Sequence, residues 1–313
     1  MTGKERILKT LRFEEPDRPP HFESMFELEL EAFGLQFPNR HSWKNCSARE
    51  KREKIAVCLD IYARIVETYA WDALAVYWPW SDPEGVAAAK RAFGERIAIG
   101  GMVGGGVWAI ESVKDWPAFS SALLERPEEI HAEAGCKRDA ALALIDRMGD
   151  AGADFVFMPH DVAFNAGPFI SPAHFAEFVA PYWAETVAHV KERGMLAFIH
   201  TDGQIMPILD QLIGLGAHCL QSLDPMAGVD IAEVKRLTYG KLALMGNVQC
   251  NLLQDGPHEA IRASVRYCLE HGTPGGGCIF STSNTIFPGM PLEHYEYMLE
   301  VFREFCDERK AQA

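Results

Sequence analysis

The chain has 313 residues, 48% of them hydrophobic, enough for one large α/β domain or two small ones and too apolar for a disordered protein. Its 30 basic and 44 acidic residues give a net charge of −14, which argues against nucleic-acid backbones and anionic membrane surfaces as partners. The opening MTGKERILKTLRFEEPDRPP is charged throughout, no segment offers the ~18 consecutive apolar residues of a membrane span, and the 8 cysteines lack C-x-x-C spacing, so a cytoplasmic protein with free thiols is expected.

Taken in chain order, apolar runs at 19–25, 73–78 and 97–103 predict the first strands. The second half is more regular: DFVFMPHD (154–161), MLAFIHTD (195–202), HCLQSLD (218–224), LALMGNV (242–248) and CIFSTSN (278–284) are apolar on both alternating faces and turn polar at their C-terminal ends. Strands of a parallel sheet covered on both sides read this way. Amphipathic stretches separate them. In one, Ser171-Pro172 supplies an N-cap and a first-turn proline, Phe175, Phe178, Tyr182 and Trp183 recur at helical spacing, and Pro181 predicts a kink. Eight strands alternating with helices predict the α/β class and a single (β/α)8 TIM barrel spanning 1–313, with a short N-terminal extension. An open doubly wound sheet is the competing architecture.

A barrel of this kind builds its site at the C-terminal ends of the strands. The polar residues there are Glu23, Trp78, His160 with Asp161, His200 with Asp202, Asp224, Asn247, and Ser283 with Asn284. In AFIHTDG (197–203), His200 and Asp202 are two apart on an extended chain and project to one side, as a metal site or a proton carrier requires. Asp202 before Gly203 and Asp224 before Pro225 also suit turns, and Asp161 suits a loop cap. The GGMVGGG run (100–106) lacks the GxxxxGK[ST] pattern and is expected to be a flexible loop over the barrel mouth. Trp78 and Trp80 of YWPW, and Trp108, either pack the rim or wall a pocket. Cys278 follows three glycines at the start of its strand, which puts it outside the site.

ERILKTLRFEEPDRPP, ISPAHFAEFVAPYW, the HTDG turn, LDPMAGVDIAEVKRLTYGKLALMGNV and FPGMPLEHY resemble the uroporphyrinogen decarboxylase superfamily, in the same order and over nearly the whole chain. The resemblance implies a TIM barrel. True uroporphyrinogen decarboxylases carry an arginine-rich segment after the first strand that grips substrate carboxylates, whereas HFESMFELELEAFG has no arginine. The resemblance therefore turns to the methyltransferase branch, whose members exchange methyl groups with a cobamide on a partner corrinoid protein, often with zinc. In its coenzyme M members a histidine and cysteine in H-x-C and a later cysteine hold the zinc; the matching positions here are His200, Asp202 and Asn284, a harder donor set.

Residues and resemblance together give a set of expectations. His200, Asp161 and Asp224 are the catalytic candidates, and Glu23, Trp78, Trp108, His160 and Asn247 the substrate contacts. His200, Asp202, Asp224 and Asn284 are the candidate zinc ligands. The expected function is metal-assisted methyl transfer from a small methylated compound, such as a methoxylated aromatic, to a corrinoid protein that brings the cobamide. Three other readings stay open: a metal-free decarboxylase or lyase in which His160, Asp161 and His200 shuttle protons, a methylcobamide:thiol methyltransferase, and a non-catalytic barrel that binds a cobamide or tetrapyrrole or docks a corrinoid protein.

Overall fold

A computed structural model describes residues 1–43 and 45–312. Seven strands form one parallel sheet in chain order: β1 (Ala73–Val76), β2 (Ala98–Met102), β3 (Phe155–Pro159), β4 (Leu196–Thr201), β5 (Cys219–Ser222), β6 (Ala243–Val248) and β7 (Cys278–Thr282). The sheet is curled in the manner of a TIM-like barrel. Helices connect successive strands, among them Pro83–Phe93, Pro127–Asp150, Ala180–Glu192, Ile231–Thr238 and His258–Gly272. Their starts are set by local chemistry: Ser47 and Glu50 form a reciprocal capping box, and Asp82, Asp115, Ser171 and Asp230 each accept a first-turn N–H. No helix among the described residues is long and apolar enough to cross a membrane.

Three expectations are corrected. The segment 19–25 forms no ladder strand. It lies extended between β7 and the residues before β1, linked by Phe280 N–H to the Pro20 carbonyl and Asp72 N–H to the His21 carbonyl, each at 2.8 Å. Two prolines in succession lack the N–H groups a ladder needs, and the His21 N–H is taken by the Asp72 side chain. Second, the start of the glycine run is sheet: Gly100 and Gly101 belong to β2, and they are glycines because a Cβ there would meet the Phe155 ring at 2.4 Å and the Met148 sulfur at 2.6 Å. Third, the helix carrying Pro181 is interrupted outright. One helix, Pro172–Phe178, stops and another, Ala180–Glu192, begins, with Pro181 in its first turn where the missing N–H costs nothing.

Sheet side chains fill the interior, where Phe22, Phe155 and Phe198 meet with centroids 4.9 to 6.3 Å apart. This filled end leaves chemistry to the strand C-termini.

Candidate functional site

The parallel register between β3, β4 and β5 assembles the site. Pro159 lies opposite His200, and His200 opposite Gln221, so the residues just beyond β3 stand beside the end of β4. His160 N–H donates to the His200 carbonyl at 3.0 Å, and Val162 N–H to the Thr201 hydroxyl at 3.0 Å. Pinned in this way, Asp161 brings Oδ1 to 3.3 Å from His200 Nε2. Asp161, His200 and Asp202 each offer one ligand atom, and these atoms all lie within 4.8 Å of one another.

Each member is held from behind. His200, 9% exposed, bonds through Nδ1 to the Gln221 side-chain oxygen, and the Gln221 amide donates onward to the Thr282 carbonyl at 3.5 Å. One Asp202 oxygen accepts from Ser222 and the other from Asn284. With Nδ1 bonded to an amide oxygen and Nε2 facing a carboxylate, the ring must carry both protons unless a cation replaces one. Burial opposes that charge, but Asp202 and the Asp161 bond outweigh it and lift His200 to about 9. The same bond to His200 holds Asp161 below the ordinary carboxylate range.

The donor set of one imidazole and two carboxylates fits a divalent cation of hard or borderline character. A carboxylate oxygen engaged by one donor keeps a lone pair for a metal. A histidine whose other nitrogen is fixed by an amide oxygen has the tautomer and orientation of a ligand.

Other expected residues sit elsewhere. Asp224 is outside the cluster: its Oδ1 accepts Met226 N–H at 3.0 Å and caps the turn Pro225–Ala227, and burial pushes its carboxyl up. Asn284 backs Asp202 through its amide nitrogen. Asn247 donates to the Leu223 carbonyl at 3.1 Å. Glu23 is fully buried, and one of its oxygens takes Ser281 Oγ at 2.7 Å, Thr282 N–H at 3.0 Å and Thr282 Oγ1 at 2.7 Å. Trp78 is nearly buried against Phe37. Trp108 is also nearly buried, donates its indole N–H to the Ile130 carbonyl at 3.1 Å, and has Lys137 over its ring at 4.7 Å. His160 packs edge-on to Trp183 with no partner for Nδ1 among the described residues, and burial lowers it to about 3, a neutral ring.

Sequence reasoning passed over Gln221, Ser222 and Glu111. A glutamine inside the apolar HCLQSLD run was the available signal for the first. Glu111 lies in no motif; its turn is tied to Asp161 by Ile110 N–H at 2.8 Å, and desolvation together with the Asp161 charge pushes its carboxyl up.

The family model for uroporphyrinogen decarboxylase (URO-D) matches residues 84–305. Methylcobamide:CoM methyltransferase MtaA of Methanosarcina barkeri is 27% identical over 213 residues, 66% of this chain and 58% of that protein. A uroporphyrinogen decarboxylase of Xanthomonas oryzae pv. oryzae is 28% identical over 201 residues, 60% of this chain and 53% of that one. The matches thus span just over half the length of these relatives. A solved methyltransferase from Methanosarcina mazei superposes with a TM-score of 0.76 over 97% of this chain and 99% of its own, at 18% identity, a likeness of fold.

Proposed function

Because the chain belongs to the uroporphyrinogen decarboxylase family, we propose that it is a corrinoid-dependent methyltransferase, taking a methyl group from a small methylated substrate to a corrinoid carried by a partner protein. In this reading 19–25 serves as the eighth stave of the barrel. The observation that carries the proposal is the Asp161–His200–Asp202 cluster backed by Gln221. It lies at the C-terminal ends of the strands, where a barrel of this kind builds its site, and the likeness to MtaA and the arginine-free segment at 21–34 favour methyl transfer over porphyrinogen decarboxylation.

The mechanism uses the protonated ring. His200 holds a proton at Nε2, kept there by Asp161 and Asp202. As the bond between methyl carbon and heteroatom breaks, both electrons stay on the heteroatom, and the His200 proton spares it a full negative charge. His200 is left as a neutral imidazole beside Asp161 and regains its proton from solvent before the next turnover. A divalent ion held by Asp161, His200 and Asp202 would supply the same assistance as a Lewis acid. Gln221 fixes the ring plane in either case. Glu111 sits on the turn bonded to Asp161, and its carboxyl feels the charge of that carboxylate.

A second reading rests on the direct His200–Asp161 contact of 3.3 Å, a proton pair ready to act without metal in a decarboxylase or lyase. The test is an assay with a methoxylated aromatic and reduced cobalamin, run beside His200→Ala. Methylcobalamin formation that depends on His200 supports the proposal. Carbon dioxide release from a carboxylic acid without cobalamin would replace it with the second reading.

A further inference from the structure

At the end of the sheet opposite His200, where β7 begins, lies a cavity of about 260 Å³. Its walls carry three cations, Arg18, Arg309 and Lys310, and two carboxylates, Glu15 and Asp17. The carboxylates are already bonded at both oxygens. Asp17 accepts from Arg6 at 2.6 and 2.8 Å and from the Met1 amino group, and the Arg6 bond holds its carboxyl well below the usual range. Glu15 accepts from Gly275 N–H and from Arg309.

The cations keep donors in reserve. Arg18 commits its two terminal nitrogens to Asp72 and to the Pro19 and Ala70 carbonyls, which leaves its Nε–H. Arg309 donates to Thr273 and Glu15, and Lys310 to Asp307, fewer bonds than either group has N–H donors. The Thr10 hydroxyl, in the same wall and 1% exposed, has no hydrogen-bond partner among the described residues. Cys278 and Cys306, both nearly buried, add an apolar surface.

A simpler role exists for two of the cations. Arg309 and Lys310 lie in the last turn of the helix Leu292–Gln312, where positive charge complements the helix dipole. That role requires charge, but it does not account for a cavity that joins spare donors, carboxylates already bonded at both oxygens and a buried hydroxyl without a partner among the described residues. We propose that this cavity is a second ligand site for a small organic carboxylate, with its oxygens on the spare N–H groups of Arg18, Arg309 and Lys310 and its apolar body against the two cysteines. Its volume is just below the usual range for small-molecule pockets, so the ligand is compact.

Benzoate is the probe, titrated calorimetrically into the 313-residue chain at fixed ionic strength. Saturable binding is expected, weakened about tenfold or more in Arg309→Gln/Lys310→Gln and unchanged in His200→Ala. Lys310→Glu, at an exposed side chain, reverses a wall charge without disturbing buried contacts and should weaken binding at only a small cost in stability from the helix dipole. Inorganic phosphate, which has no apolar body, should bind more weakly than benzoate. Absence of saturable binding, equal affinity in both wall variants, loss of binding in His200→Ala, or phosphate binding as tight as benzoate would each overturn the proposal.

Discussion

The His200 Nε2 atom lies 3.3 Å from Asp161 Oδ1, and these two residues come from the ends of neighbouring strands whose register leaves them no other relation. On the far side of the ring, Nδ1 meets Gln221. The imidazole is therefore clamped between a charged acceptor and a neutral one.

Removing the ring should abolish the chemistry and keep the fold. For His200→Ala we expect turnover lower by about 10²- to 10⁴-fold, the range for losing a positioned acid or base, with an unchanged circular dichroism spectrum. Metal content, measured by elemental analysis after dialysis against zinc, should fall in parallel with that of Asp161→Asn. Asp224→Ala should keep its metal, since Asp224 caps a turn outside the cluster. If Asp224→Ala lost the metal and Asp161→Asn kept it, the assignment of ligands would be reversed.

Gln221→Leu tests positioning. The substitution preserves volume and removes the acceptor of His200 Nδ1, so the ring gains freedom to rotate. Metal affinity is expected to fall about 10- to 100-fold, as when the outer partner of a ligating histidine is lost. Gln221→Glu restores an acceptor and should recover most of that affinity. A merely structural glutamine would instead lower thermal stability in both variants and leave affinity alone.

Much of the frame was legible because it is local. The β4 run and the HTDG turn that ends it are visible directly, as is the cap at Ser171. What escaped depends on register or on distant contacts. Whether Asp161 or Asp224 joins His200 is decided by which backbone N–H each carboxylate meets, and Met226 N–H holds Asp224 in its turn. Gln221 passed without notice inside an apolar strand, and only the pairing places it opposite His200. At 19–25 the apolar pattern was real, but prolines and the Asp72 side chain withdrew the N–H groups that a ladder requires.

Glu23 should matter to stability. It joins 19–25 to β7 through three bonds at one oxygen, and the other oxygen lies 3.3 Å from His21. Glu23→Ala strands these buried donors, each worth about 1–3 kcal/mol when left unsatisfied. We expect a loss of about 3–5 kcal/mol in urea unfolding, comparable to breaking a buried charged pair, and a smaller loss for Glu23→Gln. An unaltered midpoint with a raised KM would move Glu23 from the frame to the substrate.

His160 should make stability depend on acid. Its folded value of about 3 lies below the ordinary 6.5 because burial excludes the charged ring. Between those values the unfolded chain binds a proton that the folded chain refuses, so stability falls as pH drops from 6.5 toward 3. Each pH unit well inside that window costs about 1.4 kcal/mol, or about 2–3 kcal/mol by pH 4.5. His160→Gln has no proton to bind and should lose correspondingly less between pH 7 and 4.5 in parallel urea titrations, even if it starts lower at pH 7. Profiles that run parallel for the two proteins would mean that the ring is hydrated or paired in the folded state, and the packing of His160 against Trp183 would then need another account.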